Sequence, residues 1–124
     1  MSKVSVRYIV NDVDSVIPFY TDMLGFKVEM HPAPGFASLL RGDLQLLLNR
    51  PGAGGAGQAM PDHQRPSPGG WNRFQIEVDN LEAIVEKLKA SGVRFRNEIV
   101  TGNGGKQVLV EDPSGNPIEL FESF

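Results

Sequence analysis

Cysteine and histidine, two side-chain types that often perform catalysis or bind metals, are absent or scarce in this sequence. It contains no Cys, which excludes a thiolate nucleophile, a zinc–sulfur site and a disulfide framework. Its two imidazoles are His31, which precedes a proline in a predicted turn, and His63, which lies in a predicted linker. We therefore expect solvated loop histidines. The alternative is that either imidazole completes a metal site, which would require the linker to fold deep into the molecule.

Two other clusters resemble functional motifs but fit structural roles better. The segment Gly102–Gly105 resembles an anion-binding glycine loop, yet no Lys-Ser/Thr pair and no helix follow it, so we predict a hairpin connection. Four charged residues share a predicted helix with an apolar stripe that takes the buried side. They are expected to form its solvated face: Glu82, Glu86, Lys87 and Lys89.

Length and charge limit the classes of protein that fit. The 124 residues, 40% of them hydrophobic, predict one globular domain with a modest core. A net charge of −3 without a basic block argues against nucleic acid or an anionic membrane as a partner. No apolar run approaches the roughly 20 residues that a bilayer requires, and the first residues begin a strand rather than a signal sequence. We therefore expect a cytoplasmic protein.

The strongest internal pattern is a repeat. The segment Val10-Asn11-Asp12-Val13-Asp14-Ser15-Val16-Ile17 reappears as Val78-Asp79-Asn80-Leu81-Glu82-Ala83-Ile84-Val85 at a constant offset, which places Ser5 opposite Arg73. Each copy passes from an alternating, strand-like stretch through a polar corner into a helix-period stretch. Two copies of one supersecondary unit are thus predicted, packed with pseudo-symmetry around a shared cleft.

Each copy predicts a β-α-β-β-β module. In the first, a helix capped by Asp12 or Asp14 carries Pro18 within about its first turn and ends at Gly25. In the second, the amphipathic helix ends at Gly92. The alternating segments predict strands at 4–10, 26–30, 36–40 and 44–48 in the first copy, and at 71–78, 93–96, 107–111 and 117–122 in the second.

The segment between the copies, 51–70, is rich in Gly and Pro and has no apolar periodicity. It predicts either a flexible linker or a functional lid whose Met60, His63 and Arg65 approach a ligand. The predicted fold class is therefore α+β: two tandem β-α-β-β-β modules whose mixed sheets curl around a shared cleft. They form a single domain, 1–124, made of repeat 1 (1–50), the linker (51–70) and repeat 2 (71–124).

Four segments, in this order along nearly the whole chain, resemble the vicinal oxygen chelate superfamily. They are Val10-Asn11-Asp12-Val13, Phe19-Tyr20-Thr21-Asp22-Met23-Leu24-Gly25-Phe26, Val78-Asp79-Asn80-Leu81 and Glu111-Asp112-Pro113-Ser114-Gly115-Asn116-Pro117-Ile118-Glu119-Leu120. That superfamily includes lactoylglutathione lyase (glyoxalase), extradiol dioxygenases, methylmalonyl-CoA epimerase, fosfomycin-modifying enzymes and bleomycin-binding resistance proteins. The motifs are specific for the fold and not for the reaction.

In that family's metalloenzymes, four inward-facing strand positions carry the His, Glu or Gln residues that hold a metal. The resemblance places these positions at Ser5, Leu47, Arg73 and Glu119, with Gln45 instead of Leu47 if the strand register shifts by two. Only Glu119 is a good ligand, and a guanidinium cannot ligate because it has no available lone pair and repels the cation. We therefore expect no family metal and no other cofactor.

The resemblance also implies that Arg73 and Glu119 face one cavity, where an ion pair would replace the metal. The pair either neutralises itself or acts on a ligand, with Arg73 on an anionic oxygen and Glu119 on a cationic or hydroxyl group or a proton. Strand alternation adds neighbours to this surface, although a plain solvated face also fits Arg7 and Gln75. The candidate ligand-binding residues are Ser5, Arg7, Gln45, Leu47, Asn49, Arg73, Gln75 and Glu119.

Three functions fit this mixed surface, which suits a small polar organic molecule. The first is a metal-independent binding protein similar to the bleomycin resistance proteins, and the loss of three ligand positions favours it. The second is a glyoxalase- or dioxygenase-type enzyme, a lyase or isomerase, with Glu119 as general base and Arg73 holding an oxyanion. The third is an interaction module. The family's pairing of copies across a subunit interface also implies a homodimer.

Overall fold

The computed structural model describes residues 3–124. The chain divides into two units, of which the first ends at Gly69 and the second runs from Gly70 to Phe124. The predicted linker therefore belongs, almost to its end, to the first unit. The single-domain organisation and the cleft shared by the modules stay predictions.

The first unit contains a four-stranded mixed sheet and one helix. Its sheet order is β1-β4-β3-β2, in which β1 pairs with β4 in parallel and the other neighbours are antiparallel. The predicted β-α-β-β-β sequence of elements is confirmed. The elements are β1 (Ser5–Ile9), α1 (Val13–Pro18), β2 (Lys27–Ala33), β3 (Phe36–Arg41) and β4 (Leu44–Asn49).

The second unit repeats this arrangement. Its sheet order is β5-β9-β8-β6, again with its first and last strands in parallel. A short strand that was not predicted, β7, pairs with β8 and makes the connection at Gly102–Gly105 a hairpin, as expected. The elements are β5 (Gln75–Glu77), α2 (Leu81–Ala90), β6 (Arg94–Phe95), β7 (Val100–Thr101), β8 (Gly105–Glu111) and β9 (Pro117–Ser123). The α+β fold class is confirmed.

Both helices bury the apolar stripe that the sequence predicts. In α1, Val13 and Val16 are buried, and in α2 so are Leu81, Val85 and Leu88. The Asn80 side chain caps α2 by accepting a hydrogen bond from the Ala83 amide at 3.1 Å. The four charged residues of α2 lie on its exposed face, so their prediction as a solvated surface is confirmed.

The first helix differs from its prediction at Pro18. This proline is the last residue of α1 rather than part of its first turn, and the helix widens there into a π-helical turn, Phe19–Met23. Proline has no amide hydrogen to donate to the preceding turn, which is why the regular hydrogen-bond ladder stops at this residue. The chain then leaves the helix at Gly25, whose φ of 75° favours glycine.

Two strands also differ from their predictions. Strand β2 extends through Pro32, so His31 lies on an exposed edge strand and not in a turn. Strand β5 begins only at Gln75, although alternation predicts a strand from Trp71. Glu119 donates its amide to the Phe74 carbonyl at 3.1 Å, and the next donor along β9 would be Pro117, which has no N–H. The ladder therefore ends there.

Among the described residues, no helix has the length and apolar character needed to span a membrane.

Candidate functional site

The structure brings three candidate residues of the second unit together around one carboxylate. Arg73 donates from Nε and Nη2 to Glu119 Oε1, at 3.0 and 2.8 Å, and Gln75 Nε2 donates to Oε2 at 2.6 Å. Glu119 is 8% exposed, and its neighbour on the parallel strand is Gln75. Glu119 is the only good metal ligand in the expected set, and both of its oxygens are thus already engaged. Arg73 repels a cation, and Gln75 donates through an amide nitrogen that cannot bind one.

A second arginine holds the segment that leads into this cluster, and sequence reasoning missed it. Arg96 donates to Glu111 Oε2 at 2.8 Å, to the Gly70 carbonyl at 2.6 Å and to the Gly115 carbonyl at 2.9 Å. Its guanidinium also lies 4.7 Å from the ring centroid of Trp71, a cation–π distance. A lone arginine at the end of a predicted strand carries no signal of this role, because its partners are distant in sequence.

The first unit has the same strand register with different side chains. Arg7 faces Leu47 across the parallel pair β1–β4, as Gln75 faces Glu119 across β5–β9. Leu47, and not Gln45, therefore occupies in the first sheet the place that Glu119 has in the second. Ser5 donates to Gln45 Oε1 at 2.5 Å, so these two candidate residues engage one another. No charged pair forms at this position of the first sheet.

Next to Gln45 lies a carboxylate that the sequence did not identify as a site residue. Glu29 Oε1 accepts from Ser38 Oγ at 2.7 Å and from Gln45 Nε2 at 2.8 Å. These two hydrogen bonds, the one from Ser38 above all, lower the pKa of Glu29, because they stabilise its ionised form. Strand alternation within β2 and β3 is the signal that could have placed Glu29 and Ser38 on the face of Gln45.

The remaining two candidates, Arg7 and Asn49, line a cavity of about 600 Å³ in the first unit. Asn49 is 3% exposed; its Oδ1 accepts from Arg7 Nη1, and its Nδ2 donates to the Ala53 carbonyl at 3.3 Å. None of the described residues that line the cavity is acidic. Its other lining residues are Pro32, Ala33, Pro34, Gly35, Phe36, Arg50, Ala53, Gly54, Gly55 and Ala56.

The wall of this cavity is formed partly by the start of the predicted linker, which is folded against the β2–β3 hairpin. Arg50 donates its amide to the Gly35 carbonyl at 3.1 Å, and Gly52 and Gly57 close the loop with a bond of 2.6 Å. A Cβ on Gly35 would lie 2.5 Å from the Ala53 Cβ, so only glycine permits this contact. Residues 50–57 thus form a loop closed by backbone hydrogen bonds. Met60, His63 and Arg65, which would approach a ligand if the segment were a lid, are exposed and are not among the described residues that line the cavity; whether the segment is a linker or a lid stays a prediction.

The donors that are present do not fit the metal of the family's metalloenzymes. Within residues 3–124, no three His, Asp or Glu side chains converge in a way that could hold a metal ion. The four expected positions carry a serine, a leucine, an arginine and a carboxylate already bound on both oxygens. His31 instead lies 3.3 Å from Asp14, an exposed carboxylate at the start of α1.

Known proteins resemble this chain along most of its length. A "Probable lactoylglutathione lyase, chloroplastic" from Arabidopsis thaliana is 30% identical over 126 residues, which cover 94% of this chain and 34% of that protein. The chain thus spans about a third of this relative's length. Among solved structures, a lactoylglutathione lyase from Agrobacterium tumefaciens matches with a TM-score of 0.76 at 21% identity, covering 98% of this chain and 92% of the other.

A further solved structure with this fold is TnmS3, an antibiotic binding protein from Streptomyces sp. CB03234, with a TM-score of 0.74, 21% identity and coverage of 100% and 97%. The fold is therefore shared by a lyase and by a binding protein. The sequence model of one family matches residues 4–120, nearly the whole chain. The relationship that the sequence motifs indicated is confirmed, and this chain belongs to the Glyoxalase/Bleomycin resistance protein/Dioxygenase superfamily.

Proposed function

We propose that this chain binds a small polar organic molecule and does so without the metal that the family's metalloenzymes use. The observation that carries the proposal is the closed ion pair of the second unit, in which Arg73 and Gln75 engage both oxygens of Glu119. A metal at this position would have to displace a permanent cation from a nearly buried carboxylate. Of the other three ligand positions, only Ser5 carries an oxygen, a neutral hydroxyl that donates to Gln45, and this is a poor replacement for His, Glu or Gln.

The binding surface in this proposal is the polar face of the sheets. In the first sheet it includes Ser5, Gln45 and Leu47, and it ends at Arg7 and Asn49, which line the cavity. The cavity has a volume of about 600 Å³, and its wall combines apolar side chains with a few polar groups. Small-molecule sites have this size and character. The second sheet carries its own candidate ligand-binding cluster, Arg73, Gln75 and Glu119.

Elemental analysis of protein purified without chelator, paired with thermal unfolding in the presence of divalent cations, tests the metal-free state. We expect less than stoichiometric metal and no rise in the unfolding temperature on adding Mn²⁺, Ni²⁺ or Zn²⁺. Protein dialysed against EDTA serves as the control. A stoichiometric metal that EDTA removes with a fall in unfolding temperature would contradict the proposal.

Ligand binding is tested by a fragment screen with ¹H–¹⁵N correlation spectra. We expect fragments of at least one charge class to shift the backbone amide resonances of Gly35, Phe36 and Asn49, three residues that line the cavity. If anionic, cationic and neutral fragments all leave these amides unchanged at millimolar concentration, the binding function is wrong.

A second candidate function is catalysis of the kind named for the Arabidopsis relative, a lyase of lactoylglutathione. In that candidate Glu119 is the general base and Arg73 holds the developing oxyanion, so a substrate must separate the two side chains. Formation or breakdown of lactoylglutathione by the purified protein would establish it. The Glu119→Gln variant must then lose kcat, whereas a binding protein shows no turnover in either form.

Self-association is part of the proposal. Strand β2 is an open sheet edge on which all seven residues are exposed, including Val28 at 46% and Met30 at 48%. Register shifts along β2 oppose a simple continuation of the ladder, so we propose side-chain packing between copies in a homodimer. Sedimentation should show a dimer at micromolar concentration and a monomer for Met30→Glu. Met60→Glu, at a methionine that is also 48% exposed, is the control that should remain dimeric.

A cytoplasmic location and the absence of nucleic-acid or membrane partners complete the proposal. They rest on the lack of cysteine and on the net charge of −3 without a basic block.

A further inference from the structure

The cavity of the first unit carries two positive charges that no carboxylate neutralises. Arg7 makes one side-chain hydrogen bond, to the neutral amide oxygen of Asn49. Within the described part of the chain, the Arg50 guanidinium forms neither a hydrogen bond nor an ion pair with another side chain, and the cavity lining includes no Asp or Glu. By contrast, Arg73 and Arg96 each pair with a glutamate. Guanidinium groups without a counter-charge in a concave wall attract anions.

The rest of the wall favours an apolar body. Its lining includes Pro32, Pro34 and Phe36 together with three alanines, Ala33, Ala53 and Ala56. An inorganic anion would leave this surface in contact with water, whereas an aromatic ring would cover it. Apolar burial contributes about 25 cal/mol per Å², so the ring adds affinity that a free phosphate lacks.

Contacts within the first unit hold the cavity wall in place. Asn49 is nearly buried and links Arg7 to the loop, since its other side-chain atom donates to the Ala53 carbonyl. Gly35 lets Ala53 and Arg50 approach the β2–β3 hairpin, because a Cβ there would lie 2.5 Å from the Ala53 Cβ and 3.1 Å from Arg50 Nε. A wall held in this way loses little conformational entropy on binding.

We infer that this cavity binds a planar aromatic anion, with Arg7 and Arg50 on its carboxylate and the ring against Phe36 and the two prolines. The inference rests on the proposed function, since it names the ligand class for a cavity that the binding surface includes. Arg50 and the loop 50–57 were not among the candidate residues of the sequence. They add the second cation and the apolar wall.

Titration with 2-naphthoate, its neutral counterpart 2-naphthamide and inorganic phosphate tests the inference. Amide shifts of Gly35, Phe36, Asn49 and Ala53 report binding. We expect 2-naphthoate to bind about tenfold more tightly than 2-naphthamide, as one charge-assisted contact implies, and phosphate to bind more weakly than 2-naphthoate. Equal affinity for the acid and the amide, or phosphate binding as tight as that of 2-naphthoate, would overturn the inference.

Substitutions test which arginines bind the carboxylate of 2-naphthoate. Arg50→Gln removes a guanidinium that has no partner among the described side chains, so the fold is expected to persist, and it should weaken 2-naphthoate binding about tenfold while 2-naphthamide is unaffected. Arg7→Gln should act in the same direction. Arg94→Gln removes an exposed arginine of the second unit that is not among the residues lining the cavity, and it should change nothing. Unchanged 2-naphthoate affinity in Arg50→Gln, or an equal loss in Arg94→Gln, would contradict the inference.

The outcomes separate this inference from the proposed function. If 2-naphthamide shifts the same amides as strongly as 2-naphthoate, the cavity binds small molecules but not selectively anions, so only the inference is wrong. If neither compound shifts them and the protein holds a stoichiometric, EDTA-removable metal, both are wrong.

Discussion

The two units share their strand order and register but satisfy their charges differently. In the second sheet, the parallel pair carries Gln75 opposite Glu119, and Arg73 completes a closed ion pair. In the first sheet, the same register brings Arg7 opposite Leu47, and the guanidinium has only an amide oxygen as a partner. The first sheet has leucine where the second has glutamate, so Arg7 has no carboxylate opposite it in the register.

Under the proposed function, this difference separates a structural use of charge in the second unit from a use in binding in the first. The second unit neutralises its guanidinium internally, so little of its charge is left to attract a ligand. The first unit keeps two guanidinium groups beside a cavity without acidic residues. Duplicated modules with one topology can thus divide these two uses between them. The predictions below alter one unit so that it resembles the other, or disrupt the element that makes them differ.

The largest effect is expected from Glu119→Leu, which makes the second sheet resemble the first. It leaves the partly buried Arg73 without its counter-charge and should lower the free energy of unfolding by about 3 kcal/mol. Chemical denaturation measures it. The double variant Arg73→Leu/Glu119→Leu should recover most of the loss, because an uncompensated charge is then no longer present. Equal stability of wild type and the single variant would mean that the pair contributes nothing.

A somewhat smaller loss is expected from Gly35→Ala, which separates the loop from the hairpin. The new Cβ would lie 2.5 Å from the Ala53 Cβ, and such overpacking costs about 1–3 kcal/mol. The free energy of unfolding, measured by chemical denaturation, and the affinity for 2-naphthoate should both fall. For the stability measurement, Gly55→Ala is the matched control in the same loop, since no described atom lies within 4 Å of its added Cβ. A similar loss in both variants would contradict the role of the Gly35 contact.

Leu47→Glu makes the first sheet resemble the second. The new carboxylate would lie opposite Arg7 in the register and pair with it, so 2-naphthoate affinity should fall about tenfold. Glutamine has nearly the same shape as glutamate but no charge, so Leu47→Gln should lower the affinity less than Leu47→Glu. If Leu47→Glu binds 2-naphthoate as well as wild type, Arg7 does not supply the anion site.

The smallest effect concerns Glu29, whose pKa is lowered mainly by the Ser38 hydroxyl. Ser38→Ala should raise the pKa of Glu29 towards its ordinary value, as followed by the side-chain carboxyl shift during a pH titration. Because the folded pKa is depressed, this stabilisation is present above the unfolded pKa and is lost as the pH falls through the folded one. The stability difference between wild type and variant should accordingly shrink in acid. An unchanged pKa would show that Gln45 alone holds the carboxylate.

Much of the architecture followed from local patterns. Alternation at period two and apolar spacing near 3.6 are properties of adjacent residues, so the order of strands and helices in both modules was predictable. The errors occur at prolines and edges. Pro18 changes the form of α1, Pro117 ends the pairing of β5, and the exposed edge strand β2 extends further than its pattern predicts.

The candidate site was predictable only in part. The family resemblance led to Arg73 and Glu119, which the fold does bring together, while their roles and those of the other candidates stay predictions. Glu29, Arg96 and Arg50 were not identified, since each acquires its surroundings from residues that are distant in sequence.

The sequence by itself determined the two β-α-β-β-β modules and the family, because periodicity and ordered motifs are recorded in neighbouring residues. Tertiary structure alone decided which charges are paired. The sequence pattern places both Arg73 and Arg7 in the first strand of a module. In the fold, Arg73 precedes β5 and pairs with Glu119, whereas Arg7 lies in β1 opposite Leu47. The 50–57 loop likewise becomes a cavity wall only because Gly35, on another hairpin, has no side chain to keep it away.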